Sequence, residues 1–307
     1  MENPKSILII KFGGLGDLIL SLDAIFAIIK YHKVKPVILT EKPYNEILKK
    51  SKWFNQIITI KRSPFYFYDK YQIKKKIKID SFNYVYDLQT SKRSSSYLSI
   101  FYNLGITTNG IGPFATISHN NKLRNDLHTL ERQREQLKLS SVKYKEKTNI
   151  SWLFGSNNES VPKFKYSLIV PGGSKKRKNK RIPISVFFKI IEFLIKRKIV
   201  PLLIGSHDDE EVCFELQKKY PEVKNYCSKT NIFKIAKLSK KAILSLGNDT
   251  GPMHIIAKGN KPTFVFFTKY SNPDICSPRG KNVKILNYKN NNFKFINTIL
   301  KELEKFS

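Results

Sequence analysis

Acidic residues are scarce in this chain of 307 residues, which carries 24 Asp and Glu against 56 Lys and Arg for a net charge of +32. A balance so positive favours an anionic partner: nucleic acid, a phospholipid surface or a phosphorylated substrate. The excess is mostly lysine, accompanied by many Asn, Ile and Tyr, which AT-rich coding also produces, so charge alone assigns no function. Cysteine is scarcer still. Cys213, Cys227 and Cys276 are widely spaced and odd in number, which argues against a disulfide frame or a zinc site and for free thiols in a reducing cytoplasm. Long apolar runs are also missing. The longest, Leu18 to Ile29, is broken by Ser21 and Asp23 and is too short for a bilayer span of about 20 residues. The opening Met1-Glu2-Asn3-Pro4-Lys5 carries an acid, and only four apolar residues precede Lys11, against the pattern of a secretory signal. Internal repeats are absent, which disfavours a solenoid.

What is present is alternation. Apolar, β-branched runs at Ile7–Lys11, Pro36–Thr40, Ile57–Ile60 and Tyr84–Leu88 read as strands, as do Ser167–Val170, Val200–Ile204, Ile243–Leu246 and Thr263–Phe267. Helical patterns near 17–31, 43–50, 184–197, 209–220, 231–240 and 252–258 separate them. Strand–helix alternation predicts right-handed βαβ units and parallel sheets covered on both faces. The polar stretch between about 139 and 166, with Gly155-Ser156-Asn157-Asn158-Glu159-Ser160 at its centre, reads as a linker. The expected fold class is therefore α/β, with two Rossmann-like doubly wound domains facing across a cleft. Their expected bounds are 1–155 and 156–290, with a last helix in 291–307 free to cross the junction. Ligands in such folds bind at the carboxyl ends of the strands.

Four stretches carry chemistry. In Gly13-Gly14-Leu15-Gly16-Asp17 the glycines permit a tight turn and a close ligand approach. Asp17 falls in the first helical turn, where it is either a cap or a carboxylate suited to general-base work. The glycines also resemble half of a dinucleotide fingerprint, but Ile19 stands at the third glycine position and Glu41 lies late for a ribose acid. Pro171-Gly172-Gly173-Ser174 follows a strand and precedes a basic run through Arg181, so its amides are placed to hold a phosphate; a solvated loop is the plain alternative. The run His207-Asp208-Asp209-Glu210-Glu211 supplies acids to a helix start, where dipole compensation suffices, though one could hold a ribose. Gly247-Asn248-Asp249-Thr250-Gly251-Pro252-Met253-His254 places Pro252 at the first helical position and presents amides to a diphosphate.

Together these stretches resemble the heptosyltransferases of glycosyltransferase family 9. That family's "GxLGD", "PGxS…K-x-W-P" and "NDxGPMHxAAAxGxPxxxLF" are met here by "FGGLGDLILSLDAI", "PGGSKKRKNKRIP" and "GNDTGPMHIIAKGNKPTFVFF". Fainter echoes stand at "YDLQTSKRS" (86–94) and "HTLERQREQL" (128–137), and Ile182 replaces the usual tryptophan. The resemblance implies a GT-B architecture and a metal-independent, cofactor-free inverting transferase that moves heptose from ADP-heptose onto a lipopolysaccharide core. It implies Asp17 as catalytic base, with Gly14 and Gly16 in its turn. On the donor side it implies Gly173, Ser174, Lys180, Asp249, Thr250, Gly251 and His254, with Asp209 near the ribose and Thr230 near the base. The implied partners are a nucleotide sugar, an anionic glycolipid acceptor and the cytoplasmic face of the inner membrane, with no nucleic acid. The rival readings are an NAD(P)-dependent Rossmann oxidoreductase, from the glycine turn, and a basic nucleic-acid-binding protein, from the charge.

Overall fold

The structure, a computed structural model, describes residues 6–143, 148–155 and 160–306. The charged opening Met1–Lys5 and the Ser156–Glu159 part of the expected linker lie outside the described residues. The chain divides into two compact units, Met1–Ile150 and Ser151–Ser307.

The first unit is organised by a sheet of β1 (Ile7–Ile10), β2 (Val37–Thr40), β3 (Gln56–Thr59), β4 (Tyr84–Asp87), β5 (Thr107–Gly110) and β6 (Ile117–Ser118). Its order is β3-β2-β1-β4-β5-β6 and every pairing is parallel. The second unit repeats the pattern with β7 (Tyr166–Val170), β8 (Val200–Leu203), β9 (Lys224–Asn225), β10 (Ser245–Asn248), β11 (Thr263–Phe267) and β12 (Val283–Asn287). These run in the order β12-β11-β10-β7-β8-β9, again all parallel. The direction of winding reverses between β1 and β4, and again between β7 and β10. Open α/β sheets bind ligands beyond the carboxyl ends of strands at such reversals. The glycine turns after β1 and β7 both sit there.

β1 and β7 are buried throughout, as their uniformly apolar sequences require when helices cover both faces. The helix Leu15–His32 has ten buried residues, Ser21 and Asp23 among them, because the helix Thr129–Lys138 packs over it and Gln133 Nε2 donates to Ser21 Oγ at 2.8 Å. In the second unit, Gly247 has no room for a side chain, since a Cβ there would lie 2.5 Å from the Val170 carbonyl oxygen on the neighbouring strand. The last helix, Asn292–Leu303, places Phe295, Ile299 and Leu303 in the core of the second unit beside Ile190 and Leu194.

The structure adds strands where the sequence reading has none. β5, with the sequence Thr-Thr-Asn-Gly, has turn-like composition and is held by side-chain bonds instead of apolar packing. Thr108 and Thr116 exchange amide-to-hydroxyl hydrogen bonds of 2.8 and 3.0 Å, and Asn109 Nδ2 donates to the Gln136 carbonyl at 3.1 Å. It also adds the helix Tyr66–Lys76 after β3.

Candidate active site

At the reversal in the first unit, a cavity of about 180 Å³ is lined by Lys11, Asp17, Thr90, Arg124, Arg132 and Gln133, among others. Gly14 closes the turn after β1 and its amide donates to Asp17 Oδ2 at 3.4 Å. Asp17 caps the helix by this long hydrogen bond and also lines the cavity. Gly16 is the second residue of that helix. The turn is tied down behind: Gly13 N donates to Glu41 Oε2 at 3.1 Å, and Arg62 grips both Glu41 oxygens at 2.9 and 2.8 Å. Glu41, a ribose acid in the dinucleotide reading, is committed to these protein donors.

The other walls bring positive charge. Lys11 is buried at the end of β1, and burial pushes its ammonium pKa down while Asp17 and Asp87 push it back up. Arg124 is buried as well; its Nη2 donates to Thr90 Oγ1 at 2.6 Å and its Nε to His119 Nδ1 at 3.1 Å. That bond leaves the His119 proton on Nε2, which donates to Glu135 at 3.0 Å. Burial and the nearby Arg132 both lower the Arg124 pKa. Thr90 has a φ of 45°, a left-handed conformation costly for a β-branched residue. It is held there by its amide's 2.9 Å hydrogen bond to Asp87 Oδ1. Burial raises the Asp87 carboxyl to about 6.

At the reversal in the second unit, the turn after β7 meets the helix start after β10. Asn248 Nδ2 donates to the carbonyls of Pro171 and Gly172 at 2.6 and 3.1 Å, and its Oδ1 accepts from Ile182 N at 3.2 Å. A Cβ on Gly173 would lie 3.0 Å from Thr250 Cγ2, so the turn rests directly on the first residue before the helix Gly251–Ala257. Lys180 Nζ donates to Asp249 Oδ2 at 2.8 Å and to Ser271 Oγ at 2.9 Å, and Ser271 Oγ donates to the same carboxylate oxygen at 2.5 Å. An ammonium carries three donors, of which the described residues engage two. The Thr250 hydroxyl is buried and has no hydrogen-bond partner among the described residues. Ser174 is exposed at the rim, and His254 is buried on the short helix. Ile182, where the motif has tryptophan, is part of the apolar core.

Asp209 is drawn into this assembly from the loop after β8. Its Oδ1 accepts from Gly173 N at 2.7 Å and Arg181 Nη2 at 3.2 Å; its Oδ2 accepts from Ser206 N and Oγ, both at 2.9 Å. All its accepting capacity in the structure is turned toward the protein. Thr230 stands just before Asn231, which caps the helix Ile232–Lys241; its buried hydroxyl has no hydrogen-bond partner among the described residues. Lys11, Arg124, Arg132, Arg181 and Ser271 were not singled out in the sequence. For Arg132 a signal existed, in the "HTLERQREQL" echo, and Lys11 and Arg181 lie within or beside the glycine-turn stretches; Arg124 and Ser271 are isolated residues brought in by the fold.

The comparisons with known proteins bear on this geometry. The model of glycosyltransferase family 9 (heptosyltransferase) matches residues 70–301. The chain belongs to glycosyltransferase family 9. No curated protein sequence matches it, but solved structures do. Escherichia coli heptosyltransferase WaaC with ADP is 17% identical with a TM-score of 0.78, over 98% of this chain and 100% of that one. Escherichia coli ADP-heptose LPS heptosyltransferase II is 16% identical with a TM-score of 0.74, over 98% of each chain. The family 9 glycosyltransferase of Veillonella parvula is 16% identical with a TM-score of 0.72, over 99% of this chain and 90% of that one. This family 9 member is thus a glycosyltransferase of α/β class with the fold of the GT-B heptosyltransferases, as its motifs imply, in place of the oxidoreductase reading. Among its described residues, no helix is long and apolar enough to cross a membrane.

Proposed function

We propose that this family 9 glycosyltransferase moves heptose from ADP-heptose, with inversion and without a metal, onto a hydroxyl of an anionic lipopolysaccharide-core glycolipid. The observation that carries the reading is the content of the two sheet reversals. One holds a carboxylate, Asp17, in a cavity walled by Lys11, Arg124 and Arg132; the other holds a glycine turn, a helix start and Lys180. In this scheme Asp17 accepts the proton of the acceptor hydroxyl as its oxygen forms a bond to the anomeric carbon. The bond from that carbon to the diphosphate breaks on the opposite face, and ADP leaves with the electron pair. Its charge is met by the third N–H of Lys180 and by the amides of Thr250 and Gly251. A positioned base contributes roughly 10²–10⁴-fold, and a preorganised donor about 3–4 kcal/mol.

The three cations of the first cavity suit an acceptor carrying phosphate or carboxylate near the reacting hydroxyl, since charge-assisted bonds to Arg are strong and directional. Asp209 then acts by fixing the Gly172–Gly173 turn from behind. The free thiols fit a reaction on the cytoplasmic side, where a lipid-linked acceptor is met at the membrane surface. Titration of the protein with ADP, UDP and their sugars by calorimetry, followed by product analysis with a core-type glycolipid, tests the reading. Preference for ADP-heptose and a product heavier by one heptose are expected. Binding of UDP-sugars in preference to ADP-heptose would overturn the donor assignment.

A further inference from the structure

The helix Tyr66–Lys76 turns an unusual face outward. Asp69 and Ile73 are its buried residues. Asp69 fastens it by accepting from Ser63 N at 2.7 Å, from Arg93 Nη1 at 2.9 Å and from the Tyr97 hydroxyl. At 100° per residue, Phe67, Tyr71, Lys74 and Lys75 fall on the opposite side. That outer side is aromatic in its first half and cationic in its second. Phe65, Phe67, Tyr68 and Tyr71 are 61%, 72%, 51% and 59% exposed. They form two stacked pairs, Phe65 with Phe67 at 5.6 Å and Tyr68 with Tyr71 at 6.3 Å between ring centres. Residues 61–78 contain seven Lys or Arg against the single acid Asp69, which is buried. An outward cluster of large rings is a poor surface for water and marks a contact site. Aromatic rings beside lysines match the interfacial zone of an anionic bilayer, where the rings enter the headgroup layer and the ammonium groups face lipid phosphates.

We propose that this helix is the membrane-docking surface of the protein, and that its occupant is a bilayer containing anionic phospholipid. The placement serves the transfer reaction proposed above, on which this inference rests for its purpose. β3 and β1 are parallel, so the segment leaving β3 and the turn bearing Asp17 emerge at the same edge of the sheet. They are joined through Arg62, Glu41 and Gly13. A lipid-linked acceptor would then be met where its anchor lies.

The test is vesicle flotation of the full chain, with phosphatidylcholine vesicles against the same lipid containing phosphatidylglycerol. Wild type should float with the anionic vesicles only. Phe67→Ser with Tyr71→Ser should lower partitioning at least about tenfold, and Lys74→Gln with Lys75→Gln about fivefold per lysine at low salt. Tryptophan introduced as Phe67→Trp should be quenched by brominated lipid. ADP titration of each variant serves as the folding control. Absence of vesicle binding, or binding unchanged by the aromatic pair of substitutions, overturns the proposal while leaving ADP binding and transfer to a soluble acceptor standing. A concentration-dependent dimer in sedimentation velocity that Phe67→Ser with Tyr71→Ser abolishes, without vesicle binding, would assign the face to a second copy instead.

Discussion

Asp209→Asn keeps the shape of the side chain and removes its charge, which separates a residue that holds the phosphate-facing turn from one that holds a ligand. The carboxylate accepts four hydrogen bonds, two at each oxygen. An amide has one accepting oxygen, so in either orientation two N–H or O–H donors face an NH₂ group. The side chain has no room to turn away, because a Cβ on Gly172 would lie 2.0 Å from its Oδ1. Each bond to a charged acceptor is worth about 1.5–3 kcal/mol, and Arg181, whose side chain is 21% exposed, loses its ionic partner. The expected loss of stability is about 3–5 kcal/mol. The protein has two tryptophans, Trp53 in the first unit and Trp152 in the second. Urea unfolding in a Trp53→Phe background therefore follows the unit that contains Asp209. ADP affinity should fall only as far as the turn loosens, about tenfold or less. Stability within about 0.5 kcal/mol of the parent, together with ADP affinity lowered a hundredfold, would refute the reasoning and make Asp209 a direct ligand contact.

Three further outcomes are expected. Asp17→Asn should lower kcat by about 10²–10⁴-fold and leave the Kd for ADP within twofold, measured by product mass spectrometry and calorimetry. Lys180→Met should weaken ADP binding and slow transfer by about 10²–10³-fold; it should also lower the unfolding midpoint, because Asp249, with a side chain 6% exposed, is left without its cation. Asp87, raised to about 6 by burial, keeps its proton in the folded protein at pH values where the unfolded chain has released it. Stability from this group therefore falls as pH rises from about 4 to 6, by about 3 kcal/mol, and is level above that. Asp87→Asn, which can still accept from the amides of Gln89 and Thr90, should remove that slope in urea unfolding followed through Trp53.

The glycine turns were legible because a strand, a turn residue and a helix start are local signals, and three such units in order also carried the family. The strands β5 and β9 were not. β5 and β9 are polar and short, and β5 owes its place to Thr108, Thr116 and Asn109 bonding across the fold. The cavity of the first unit was hidden for a related reason: Lys11, Thr90, Arg124 and Arg132 come from separate stretches, and only the order β1-β4-β5 makes them neighbours. The helix Tyr66–Lys76 escaped because its rings face outward, reversing the amphipathic pattern that marks a helix in sequence. Asp209 read as a helix-start acid or a ribose ligand; its bonds to the Gly173 amide and Arg181 depend on β8 lying beside β7.

Glu41 has a consequence of its own. Its two oxygens serve a surface arginine on one side and the Gly13 amide on the other, so the loop after β3 and the peptide that presents Asp17 share one carboxylate as their anchor. Under the docking proposed above, lipid composition and turnover would become linked variables, and a detergent-solubilised assay would report on a differently anchored enzyme.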